Sequence, residues 1–123
     1  MRQSFQIALV CAAFLPFVLG VMNVIGGAGA FVPDEQVTAR LDSQMRFSAI
    51  WSMLPFFIAL WIVRHLESAG PVLMITLGAT ALAGLARLYS AMEYGLPEPL
   101  TVGIIAFEIG VLLFIPWHRR AIA

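Results

Sequence analysis

The sequence predicts an all-α integral membrane protein, a four-transmembrane-helix bundle with both termini in the cytoplasm. Three observations carry that fold class. Hydrophobic residues make up 61% of the 123 positions and charged residues only 11%, whereas an ordinary soluble domain carries about 25% charged residues. Four runs are long and apolar enough to cross a bilayer, which takes roughly 20 residues. Turns rich in Pro and Gly separate the last three runs. Seven arginines balance seven acids for a net charge of zero, which excludes the basic footprint of a nucleic-acid binder.

The first span is expected at about 4–25, since no charge falls between Gln3 and Pro33. Arg2, the apolar run and Ala28-Gly29-Ala30 imitate a secretory signal, but the run exceeds the usual signal core of about 7–15 residues. It is therefore read as a retained helix. Cys11, the single cysteine, reads as a small buried hydrophobe and permits neither an internal disulfide nor a Cys-rich metal site. Asn23 reads as a cap or an interhelical hydrogen bond. The run Gly26-Gly27-Ala28-Gly29 lacks the spacing of a phosphate loop and reads as a flexible exit from the membrane.

The second span is expected at 45–65, with Asp42-Ser43 as its N-cap and Asp42 paired to Arg46 at i, i+4. The turn Glu67-Ser68-Ala69-Gly70-Pro71 leads into a third span at 71–92, with Pro71 in the first turn where its missing N–H costs nothing. Gly95-Leu96-Pro97-Glu98-Pro99 introduces the fourth span at 99–118, interrupted by one charge, Glu108. Pro16, Pro55 and Pro116 are tolerable kinks where neighbouring groups satisfy the freed carbonyls. The spans compose a single domain over 1–123, with the last three antiparallel to one another because their connections are short.

Arginine placement sets the expected orientation. Arg2, Arg64, Arg119 and Arg120 share one side; Arg40 and Arg46 lie on the other, with Arg87 inside or near a helix end. The positive-inside rule then makes both termini cytoplasmic, with Trp117 as an interfacial anchor. His65 and His118, each beside an arginine, read as interfacial residues with polar tips and not as a metal pair.

Most acids fall on the outer side. Asp34, Glu35 and Glu98 are expected to be solvated there. Three other charges are costly. Glu108 lies about 15 Å from the outer end of its helix, Arg87 about 9 Å deep and Arg46 about 5 Å deep, at 1.5 Å per residue. A charge at mid-membrane costs about 2.5–3.5 kcal/mol and needs a protein-facing partner. Arg46, Arg87 and Glu108 could meet in one polar pocket in the outer half of the bilayer. The small residues around Arg87 on the third helix (Thr76, Thr80, Ala83 and Gly84) allow close neighbours, which places that helix at the centre of the bundle with Arg87 turned inward. The plainer alternative is an Arg87–Glu108 pair that only orients helices, since desolvation offsets much of the attraction in a buried pair. Asp42 is a competing local partner for Arg46.

The same residues carry a resemblance. Asp42 with Arg46-Phe47, then Gly84-Leu85-Ala86-Arg87-Leu88-Tyr89-Ser90, the turn Gly95-Leu96-Pro97 and Phe107-Glu108-Ile109 occur here in one order. In this the chain resembles the bacterial small membrane proteins grouped as domain of unknown function 4345. The resemblance implies a four-helix integral membrane fold, carries no established activity, and directs attention to Asp42, Arg46, Arg87, Ser90 and Glu108; the expected location is the bacterial inner (plasma) membrane. The expected function is an outer-leaflet polar pocket binding a lipid-like or quinone-like amphiphile through those five residues. The alternatives are an accessory subunit of a larger membrane complex, or an intramembrane isomerase or cyclase with Glu108 as catalytic acid. Membrane lipids, a larger complex or a second copy are the expected partners. No cofactor has a signature.

Overall fold

The computed structural model describes residues 1–123 and is helical throughout, with no strand. Helix α1 spans Arg2–Gly26, α2 Ala39–Arg64, α3 Gly70–Tyr94, α4 Pro99–Gly110 and α5 Phe114–Ile122, with short 3₁₀ segments at Gly27–Ala30, Asp34–Gln36 and Val111–Leu113. Four helical stretches (Arg2–Ala30, Ala39–Arg64, Gly70–Tyr94 and Pro99–Ile122) are long and apolar enough to cross a membrane. By length and composition this is a multi-pass membrane protein. Its apolar side chains point outward in the same sense: Phe47, Trp51, Phe57, Leu82 and Leu113 are all exposed. In water so many exposed large apolar side chains would drive association; in lipid they are the solvated face. Cys11, expected to be buried, belongs to that exposed surface.

The chain divides into two compact units, Gln6–Arg64 and Met1–Phe5 with His65–Ala123. In the first, α1 and α2 run antiparallel. Gln6 Nε2 donates to the carbonyl of Val63 at one end, and Arg46 reaches Val24 at the other. Between them Gly20 lies against Ala49 and Met53, and the Phe17 and Phe56 rings pack at 4.7 Å with a 34° tilt. Helix α2 begins at Ala39, six residues before the expected span. Its cap is Thr38, whose Oγ1 accepts the N–H of Leu41 at 3.0 Å, and not Asp42-Ser43. The polar first turn, with Arg40 and Asp42, lies outside any apolar run and so could not be found by hydropathy.

In the second unit α3 buries a stripe of Leu73, Leu77, Ala81 and Gly84, the i, i+4, i+8, i+11 row of one helical face. Helix α4 packs antiparallel to it. Helicity between α4 and α5 tightens into 3₁₀ at Val111–Leu113. Pro116 accounts for this: it has no N–H for the carbonyl of Leu112, and its ring crowds that carbonyl. Pro16 and Pro55 lie inside unbroken α-helix. The N-terminal Phe5 is fully buried, edge-on to Phe114 at 5.9 Å and to Trp117 at 5.8 Å. His118, expected at an interface, is buried as well, with Nε2 2.8 Å from the carbonyl oxygen of Leu66. Helical spacing explains the difference, because His118 shares a face with Phe114 and the buried Ala121 while Arg119 and Arg120 are exposed.

Candidate functional site

The five residues singled out by sequence fall into the two units, Asp42 and Arg46 in one and Arg87, Ser90 and Glu108 in the other. Each set is built differently.

Asp42 and Arg46 lie one turn apart on α2. Arg46 Nε donates to Asp42 Oδ2 at 2.8 Å, and Arg46 Nη1 donates to the carbonyl of Val24 at 2.8 Å. That carbonyl belongs to the last turn of α1, where carbonyls lack intrahelical donors. The other carboxylate oxygen, Asp42 Oδ1, accepts the N–H of Ala28 at 2.8 Å. Both ends of the pair are therefore committed to backbone at the exit of α1. The glycine run is an ordered 3₁₀ turn with Gly27 and Ala28 buried, not a flexible exit. Gly27 has φ +65°, and a Cβ there would fall 2.8 Å from Arg46 Nε and closer still to Asp42 Oδ1. Glycine alone suits both the left-handed backbone and that space. Asn23, expected to cap or to bond a neighbouring helix, has its Oδ1 buried with no hydrogen-bond partner.

Arg87 and Glu108 bridge α3 and α4. Arg87 Nε lies 2.9 Å from Glu108 Oε1, with the carboxylate side chain 14% exposed and the arginine side chain 48% exposed. Arg87 is thus open on one side and not enclosed as its small neighbours suggested. The contact is Coulombic and poorly directed: Glu108 Oε1 is buried and accepts no hydrogen bond. Gly84 sets this geometry. A Cβ on Gly84 would lie 2.9 Å from Glu108 Cβ and 3.1 Å from Ile109 Cγ1, so only a residue without one lets α4 approach at this level. Arg87 follows one turn later, on the same side of α3 as Gly84, where its guanidinium meets the carboxylate. Ser90 is exposed a further turn along.

The remaining polar groups near this face are internally satisfied. Thr80 Oγ1 donates to the carbonyl of Thr76 at 2.9 Å, and the Thr101 hydroxyl donates to Glu98 at the start of α4. That hydroxyl, with the backbone N–H of Glu98 itself, holds the Glu98 carboxyl below the usual range. At the opposite end of the unit Arg2 pairs with Glu67, and the bond from Arg2 likewise lowers the Glu67 carboxyl. No cluster of three or more His, Cys, Asp or Glu residues could hold a metal ion.

With the geometry in place, comparison with known proteins adds one finding. The family model described as Domain of unknown function (DUF4345) matches residues 4–118. Neither a curated protein nor a solved structure matches the chain.

Proposed function

The chain belongs to the DUF4345 family, whose description assigns no activity, and we propose that it is a multi-pass protein of the bacterial inner membrane. In this reading its Arg87–Glu108 pair receives the polar head of a lipid-like or quinone-like amphiphile. One observation carries the reading: Glu108 Oε1 is buried without a hydrogen bond beside a half-exposed arginine. The 2.9 Å ion pair with Arg87 offsets part of the cost of burying this oxygen, but an acceptor without an aligned hydrogen bond still costs up to about 1–3 kcal/mol. A head group offering a hydroxyl to Glu108 and an oxygen to the free guanidinium nitrogens of Arg87 would remove that cost. With both termini cytoplasmic, the site lies in the outer half of the bilayer, within reach of a ligand whose tail stays in lipid. Ser90, exposed one turn from Arg87, is the next residue such a head would meet.

The test is to purify the wild type, Glu108→Gln, Arg87→Gln and the double variant, and to quantify co-purifying amphiphiles by mass spectrometry of solvent extracts. Each single change is expected to cut one bound species about tenfold, the loss of one charge-assisted hydrogen bond. The opposing result is a thermal stability lowered by each single change and restored by the double, with no species depending on either residue. The pair would then be a structural tie between α3 and α4.

A further inference from the structure

At the other end of the α3–α4 unit a groove of about 160 Å³ opens between the first turn of α3 and the last turns of α5. Gly70, Leu73, Met74, Ile115 and Ile122 form its apolar wall, and His118 and Arg119 complete it. Leu73 and His118 are buried, whereas Met74 is half exposed, so the groove has a floor and an open side. Ile115 lies one turn, about 6 Å, further into the span than Arg119. Leu73, Met74 and Ile115 therefore line the deeper, acyl-chain part of the groove, while Gly70, Ile122 and the Arg119 guanidinium lie at its head-group end.

The charges at this end are unequal. The ion pairs of the chain are Arg2–Glu67, Arg46–Asp42 and Arg87–Glu108, so neither Arg119 nor Arg120 has a carboxylate partner. Both are exposed on the last turn of α5. Glu67, the nearest acid in sequence to the start of α3, is taken by Arg2. An open apolar groove lined at its end by the uncompensated Arg119, with Arg120 the next residue along α5, complements a molecule with an apolar chain and an anionic head.

We infer that this groove is a binding site for one anionic phospholipid, its acyl chain against Leu73, Met74 and Ile115 and its phosphate on Arg119 and Arg120. The site is separate from the Arg87–Glu108 pair and does not rest on its function. His118 has a positioning role. Its ring closes the groove floor while Nε2 is held by the Leu66 carbonyl, which ties the end of α5 to the turn that leads into α3.

Native mass spectrometry of the full chain in neutral detergent, titrated with phosphatidylglycerol or phosphatidylcholine, tests the site. Wild type should retain phosphatidylglycerol about tenfold better than phosphatidylcholine, and Arg119→Gln with Arg120→Gln should abolish that preference, since each arginine at a charged lipid surface contributes on this scale. Ile115→Trp, which fills the groove and leaves the charges in place, should lower retention of both lipids. Arg64→Gln, an exposed basic residue of the other unit, should change nothing. Equal retention of the two lipids by wild type would overturn the site. So would an Arg64→Gln effect as large as that of the double variant, which would show general attraction to a basic belt. If Ile115→Trp does not fold, Gly70→Leu blocks the same groove from α3, and undiminished lipid retention by that variant also overturns it.

Discussion

The α1–α2 hairpin and the α3–α4 hairpin each set an arginine against a carboxylate beside a glycine, and they use the combination in opposite ways. At Asp42–Arg46 both carboxylate oxygens accept hydrogen bonds and the guanidinium caps a helix carbonyl. At Arg87–Glu108 one buried oxygen accepts none, and half of the arginine is open. A closed network rigidifies the structure around it, whereas a partly satisfied one carries a standing cost. The two arginines are similarly open, 44% and 48% exposed, so the difference between a fastening and a site lies in the carboxylates: both oxygens of Asp42 are engaged, and one of Glu108 is not. The glycines divide in the same way. Gly27 admits a charged pair to a turn, and Gly84 admits one helix to another.

The most damaging way to break this contrast is Gly27→Ala. The substitution forces a side chain into a left-handed backbone at about 1–2 kcal/mol and overpacks the Asp42–Arg46 pair at about 1–3 kcal/mol more. The expected loss is therefore about 2–5 kcal/mol, read as an earlier thermal melt of the helical circular-dichroism signal in detergent. Amide exchange at Ala28 should accelerate at the same time, because its N–H loses Asp42. A wild-type melt with an unprotected Ala28 amide would show that the network does not hold the exit of α1.

Gly84→Ala is the milder counterpart. Its Cβ meets Glu108 Cβ at 2.9 Å and Ile109 Cγ1 at 3.1 Å, so α4 itself must move outward, but no charged pair in a left-handed turn is overpacked. The expected cost is about 1–3 kcal/mol. Displacing Glu108 from Arg87 should also reduce the co-purifying amphiphile. Gly27→Ala, whose contacts lie within Gln6–Arg64, should destabilise without that selective loss. Equal ligand loss in both variants would erase the distinction between fastening and site.

How much of this was legible in the sequence depends on where each residue reports its cost. The four long helices were, because an uncharged apolar run has few alternatives in lipid. Arg87 and Glu108 were, because a charge within such a run is expensive enough to demand an explanation. The turn at Gly27–Ala30 was not: glycine and alanine have no side chains to signal a contact, and the partners are backbone atoms of Val24 and Ala28, which no pattern of residue types displays. His118 was misread from its arginine neighbours, although its spacing from Phe114 and Ala121 already put it on the buried face. The early start of α2 was concealed by its charged first turn, while Thr38, three residues before Leu41, was a readable cap.

The smallest effect lies at the exposed Arg2–Glu67 contact of the second unit, a baseline for what an arginine–carboxylate pair does in water. The Arg2 guanidinium, followed by the backbone N–H of Glu67, holds the Glu67 carboxyl below its ordinary value. The folded state therefore binds the proton less readily than the unfolded chain. Linkage then gives a contribution fully present above the ordinary glutamate pKa of about 4.3 and lost as pH falls through the lowered folded value. Both side chains are at least half exposed, and solvent-exposed pairs contribute little, so Glu67→Gln should lower Tm by no more than about 1–2 °C at pH 7. The gap between the two proteins should close on acidification. Glu98 titrates in the same direction but is present in both proteins and cancels in their difference. A gap that widens with acid would mean that the folded state binds the Glu67 proton more readily than the unfolded chain, and the pairing with Arg2 would have to be abandoned.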